Sequence, residues 1–135
     1  MFDMSGKVVL VTGGCGWLGS AFCLALAEVG ATVVVSSRDQ ERATAQAQAL
    51  PTPKGADAQQ HAGVVLDHME EASIKTGFAQ AVAAAGRVDV LINNGLSMSP
   101  GDISNISFEA FAKVGANNAG YFVLGQCKPT PSATT

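Results

Sequence analysis

KVVLVTGGCGWLG, residues 7–19, joins a strand, a turn and the start of a helix without interruption. Lys7 to Thr12 is a short run dense in β-branched residues, as expected of a strand covered on both faces. From Trp17 the pattern becomes helical: Leu18, Phe22, Leu26 and Val29 recur at near-helical spacing, with alanines filling the intervals. The segment is apolar almost all round, so the sequence predicts a helix largely covered by its neighbours and ended at Gly30.

The turn between them carries the chemistry. Gly13 permits a sharp exit from the strand. At Gly16 the backbone can approach a pyrophosphate that a β-carbon would hold away, and Gly19 permits close helix–sheet contact. Peptide N–H groups at the start of a helix, aided by its dipole, face negative charge, and Cys15, Trp17 and Leu18 belong to the same cradle. The competing interpretation is a glycine-rich turn that merely packs. A phosphate-transfer loop is disfavoured, because no Gly-Lys-Ser/Thr follows.

Outward from this unit the pattern repeats. Thr32 to Ser36 forms a second strand. Asp39 caps a helix running to about Leu50, with Ala43, Ala47 and Leu50 inward, and Pro51 and Pro53 stop it. After a polar loop over 54–60, Ala62 to Leu66 supplies a third strand ending at Asp67. A helix from about Glu70 to Ala85 buries Ile74, Phe78, Ala81, Val82 and Ala85, and Gly86 closes it. Val88 to Ile92 is the fourth strand, and a last helix runs from Phe108 towards Leu124. Short apolar strands alternating with helices specify one α/β domain with a parallel sheet. That domain spans 1–127, followed by an irregular tail over 128–135 in which Pro129 and Pro131 forbid a regular helix.

The end of the second strand bears on the ligand. An acidic residue there would bind the ribose hydroxyls of NAD. Ser37 and Arg38 stand there instead, and Arg38 suits a 2'-phosphate through charge-assisted contacts, with Ser37 adding a hydroxyl. NADP is preferred and NAD remains the alternative; the plain interpretation of Arg38 is a solvated residue beside the second helix. Asp67 can accept from an adenine amino group or cap the next helix. Asn93, Asn94 and Gly95 lie at the ligand-binding end of the fourth strand, although adjacent asparagines also tie down turns.

Composition excludes other classes. The 135 residues suffice for one domain with a core, and with 14% charged residues the chain is not a disordered tail. A net charge of −3 with scattered Lys and Arg offers no nucleic-acid surface. Cys15, Cys23 and Cys127 show no paired spacing, and His61 and His68 have no further ligands nearby. A disulfide framework and a metal site are therefore not expected, and a cytoplasmic setting is. Val8 to Ala27 is uncharged and long enough to span a bilayer, but Gly13, Gly14, Gly16 and Gly19 interrupt it, so no membrane role is expected.

Taken together, TGGCGWLG at 12–19, SSRD at 36–39, VLD at 65–67, LINNG at 91–95, and Asn117 followed by Gly120 resemble the short-chain dehydrogenase/reductase superfamily over about residues 5 to 125. The resemblance implies a truncated Rossmann-like three-layer domain with strand order 3-2-1-4. It implies pyrophosphate on the glycine turn, Asp67 at the adenine, and Asn93, Asn94 and Gly95 along the cofactor. It also implies Asn117 as the catalytic asparagine that supports a water in the proton relay. Two departures stand out: Gly95 and Leu96 replace the alanine and the final glycine of the Asn-Asn-Ala-Gly segment, and the glycine spacing matches the extended branch while the remainder is similar to the short branch. The family's catalytic Ser and Tyr-x-x-x-Lys are missing, since the one tyrosine, Tyr121, is followed four residues later by Gly125. The expectation is a cofactor-binding fragment of an oxidoreductase whose complete form acts on a small-molecule carbonyl or alcohol; the alternative is a non-catalytic dinucleotide-binding or regulatory protein. Without a fifth strand, self-association through strand four or the last helix is expected.

Overall fold

The computed structural model describes residues 2–53, 60–96 and 104–115. Within them the order is β1 (Val8–Val11), α1 (Trp17–Glu28), β2 (Thr32–Ser37), α2 (Gln40–Gln48), β3 (Ala62–Val65), α3 (Glu71–Ala85) and β4 (Val90–Ile92). The strands form one parallel sheet in the order β3-β2-β1-β4. Residues 108–115 are helical, matching the start of the expected last helix. Asn117, Tyr121, the tail and most of the 54–60 loop lie outside the described residues.

Alternation along the strands separates two cores. Val9, Val11, Val33 and Val35 face Cys23 and Ala27 of α1 and Ala47 of α2. Val8, Leu10, Val34 and Val64 face Ile74, Phe78 and Ala81 of α3. The result is three layers, with the sheet covered on both faces. Because both faces of β1 and β2 are dry, β1 reads as an unbroken apolar run and β2 carries three successive valines at its centre.

The ends of the elements follow from local chemistry. The Asp39 carboxylate accepts from Arg42 N–H at 3.1 Å and caps α2 as expected. Gly86 closes α3 at φ 77°, a left-handed position that costs other residues a steric penalty. His61 extends the β2–β3 pairing with its side chain: Nδ1 accepts from Val33 N–H at 2.9 Å, and Nε2 donates to Pro51 O at 2.7 Å. β4 is shorter than the sequence suggests, beginning at Val90 instead of Val88. At its entry the Asp89 carboxylate accepts from Val8 N–H at 2.8 Å, while Asp89 N–H donates to Val8 O at 2.9 Å.

One expectation fails in α1. Most of its large apolar residues do not face the sheet: Trp17, Leu18, Phe22 and Leu24 are exposed, Leu26 is half-buried against the core, and the buried residues are Gly19, Cys23 and Ala27. Those three recur every four residues and form one narrow stripe of small side chains. The helix lies close to the sheet along that stripe, and its bulky residues project elsewhere.

Candidate dinucleotide site

The site begins at Thr12, at the end of β1 and fully buried. Its hydroxyl donates to Ile92 O at 3.2 Å and accepts from Asn94 N–H at 2.9 Å and Gly95 N–H at 3.0 Å. One side chain therefore fastens the exit of β1 to the exit of β4. Asn94 completes the fastening, its Nδ2 donating to Thr12 O at 3.1 Å and Gly13 O at 3.3 Å. Of the two roles open to this asparagine, the structure shows the one that ties down the turn, and Asn94 still lines the cleft.

Gly13 leaves the strand at φ 62°, and a β-carbon there would lie 3.1 Å from Gly95 Cα. The turn then folds on itself: Gly14 N–H donates to Ser36 O at 2.9 Å, and Gly16 N–H to Gly13 O at 3.0 Å. A β-carbon on Gly14 would meet Val35 Cγ1 at 2.7 Å, and one on Gly19 would collide with Gly13 O. Gly19 thus permits the close approach expected of it, chiefly to the turn. Below the turn, Cys23 Sγ lies 3.8 Å from Gly14 O, and burial, then the neighbouring Cys15, pushes its thiol up to about 12. That thiol stays neutral and packs as a small apolar group.

The mouth of α1 is suited to an anion. Ser20 N–H, donating to Gly16 O at 2.8 Å, makes the first helical bond, so the N–H groups of Trp17, Leu18 and Gly19 stand at the open end of the helix. Gly16 occupies the N-cap and supplies no side-chain cap, and the first turn holds no acidic residue. A cradle with this backbone and this dipole fits a bridging pyrophosphate.

Around the cradle is a cleft of about 920 Å³, at the end of the sheet where the chain turns from β1 to β2 on one side and β4 lies on the other. This is where open parallel sheets hold ligands. The cleft gathers Gly13, Cys15, Gly16, Trp17, Leu18 and Gly19 from the turn, Ser37 and Arg38 from the end of β2, and Asp67, Asn94 and Gly95 from the other two strand exits. Asn93, by contrast, is exposed and lies outside the lining, and Asn117 falls outside the described residues. Asp67 does not cap α3: Glu70 is the N-cap and makes no side-chain cap bond. The Asp67 carboxylate accepts from Met69 N–H at 2.9 Å and braces the preceding turn, and Asp67 lines the cleft.

Sequence reasoning missed Arg42, His68 and Met69, all part of the wall. Arg42 was legible in principle, since it stands in the first turn of α2, three residues past the Asp39 cap that follows Arg38. His68 and Met69 reach the wall through a turn that no periodicity marks. Among the described residues, neither the Arg38 nor the Arg42 guanidinium is in an ion pair. No group of three His, Cys, Asp or Glu side chains placed to hold a metal occurs among the described residues, and no described helix is long and apolar enough to cross a membrane.

Comparison with known proteins agrees with this geometry. The short chain dehydrogenase family model matches residues 7–126. An uncharacterized oxidoreductase of Mycobacterium tuberculosis is 33% identical over 121 residues, covering 89% of this chain and 44% of that protein. Glucose 1-dehydrogenase of Gluconobacter oxydans is 33% identical over 114 residues, covering 84% and 42% respectively. Among solved structures, an NADP active-site complex of RhlG from Pseudomonas aeruginosa superposes with a TM-score of 0.78 at 25% identity, covering 93% of this chain and 47% of that one. The chain thus spans less than half the length of these relatives. A family match over nearly the whole sequence, joined to a 3-2-1-4 parallel sheet and a glycine turn at its ligand-binding end, makes this chain a member of the short-chain dehydrogenase family.

Proposed function

We propose that this chain is the cofactor-binding portion of an NADP-dependent oxidoreductase, acting in the cytoplasm on a small-molecule carbonyl or alcohol when its fold is complete. The observation that carries the proposal is the uncapped mouth of α1 beside two cations, Arg38 and Arg42, on one cleft. When bound, the nicotinamide cofactor supplies or accepts the hydride. The residues described here do the rest of the cofactor's handling. The peptide N–H groups of Trp17, Leu18 and Gly19 receive the pyrophosphate. The guanidinium of Arg38, aided by Arg42 and the Ser37 hydroxyl, pairs with a 2'-phosphate. Asp67 faces the adenine, and Asn94 and Gly95 hold the opposite wall against Thr12.

The preference for NADP over NAD rests on charge. Asp39, the carboxylate next to Arg38 in the chain, is engaged at the N-terminus of α2, accepting from Arg42 N–H. Two cations and an engaged carboxylate favour an extra phosphate over bare ribose hydroxyls. Calorimetric titration with NADP+ and NAD+ tests this. NADP+ is expected to bind at least tenfold more tightly, and Arg38→Ser to remove most of that difference by weakening NADP+ alone. Equal affinities in the unaltered chain would overturn the NADP assignment; binding of neither would overturn the site.

A further inference from the structure

Trp17 is 92% exposed, yet it belongs to the wall of the cleft and is the sole tryptophan of the chain. An indole is the largest apolar side chain, and leaving it in water at the rim of a binding cleft forfeits the burial that such groups ordinarily gain. Its neighbours on the rim are of the same kind: Leu18 is 57% exposed and Leu96 68% exposed. All three line the cleft, as do Arg38, Arg42, Asp67 and His68 from the exits of β2 and β3 and the start of α2. Trp17 is also the first residue of α1, so its backbone N–H and its side chain both start at the anion-facing mouth. A side chain this exposed is not fixed by packing, and its rotamers exchange on a picosecond-to-nanosecond scale.

We infer that the Trp17 side chain is a movable cap, which swings from solvent onto the bridging pyrophosphate of a bound dinucleotide and closes the cleft over it. The inference rests on the dinucleotide site proposed above and extends it from the backbone cradle to this side chain. Indole is suited to the place on two counts. Its Nε1–H is a donor with no acceptor capacity, so it meets a phosphate oxygen without conflict. Its ring excludes water from the charge-assisted bonds beneath, which strengthens them. The cap covers the segment common to all such ligands, so it raises affinity without distinguishing NADP from NAD; that distinction stays with Arg38.

Acrylamide quenching of the single tryptophan reads the movement directly in the unaltered chain. Saturating NADP+ and its nicotinamide-free analogue 2'-phospho-ADP-ribose are both expected to lower the quenching constant several-fold, because both carry the pyrophosphate. By calorimetry, Trp17→Gly is expected to weaken both ligands about tenfold, with Trp17→Phe falling between, its ring retained and its N–H lost. If the ligands bind the unaltered chain but quenching is unchanged, the cap is refuted and the dinucleotide site stands. Protection by NADP+ alone would also refute it, by placing the indole on the nicotinamide. If neither ligand binds, the site itself falls and the cap with it. The quenching arm needs no variant, so a folding defect in Trp17→Gly does not rescue the idea.

Discussion

At Asp89 one carboxylate holds two strands. It accepts from Val8 N–H at the start of β1 and pairs with the Arg87 guanidinium. Burial alone would raise its pKa; the Arg87 hydrogen bond, the Val8 N–H and the charges of Arg87 and Lys7 outweigh that and hold it below the ordinary value. A carboxylate that titrates lower in the folded chain contributes its full stability above the unfolded value of about 3.9. That contribution is lost as the pH falls through the folded value. Asp89→Asn keeps an oxygen for Val8 but removes the charge, so it is expected to cost about 1 kcal/mol at neutral pH. It should also flatten the loss of thermal stability below about pH 4. Melting curves from pH 7 to pH 3 decide it, and superimposable pH profiles for the two proteins would exclude this role. Neither this clamp nor the Thr12 fastening is legible in the sequence: Asp89 reads as a surface turn residue, and Thr12 as one more β-branched position in a strand. Gly13 was legible, because only a glycine tolerates both its φ and the nearness of Gly95.

Among the elements, the strands were far more legible than the faces of the helices. VVLV and the VVV at the centre of TVVVSS are runs of β-branched and apolar residues that suit a buried strand, and Asp39, Pro51 and Gly86 mark the helix ends by their own chemistry. α1 is marked at its end by Gly30 but carries no mark of its inward face. With one charged residue, Glu28, in twelve positions, hydrophobicity selects no inward side, and steric fit to the sheet decides instead. The stripe Gly19, Cys23, Ala27 wins because it lets the helix approach the turn and the strands. Two substitutions test this inversion of size and importance. Ala27→Leu overfills a fully packed contact and is expected to cost about 1–3 kcal/mol. Leu24→Gln, on the exposed side, should stay within about 0.5 kcal/mol of the unaltered chain. Urea unfolding measures both; a larger loss from Leu24→Gln than from Ala27→Leu would show that the exposed side is the packed one.

At the scale of the whole molecule, β4 is the outermost strand on its side of the sheet among the described residues. β4 pairs with β1, and Val90 at its start is 37% exposed, while Phe108 and Phe111 are 86% and 65% exposed. An apolar strand at the flank of a sheet is a template for pairing with another chain. The expected behaviour is concentration-dependent self-association through β4 or the 108–115 helix, and Val90→Lys should shift it toward monomer. Sedimentation velocity across a hundredfold range of concentration tests this, and a monomer at every concentration would dismiss it. A further property follows from where the Asp89–Val8 clamp lies. It pins the starting ends of β1 and β4, whereas the glycine turn and both arginines occupy the finishing ends. The Asp89 clamp and the arginines that set ligand preference thereby lie at opposite poles of the sheet, so either can be re-engineered, or can drift in evolution, with little penalty to the other.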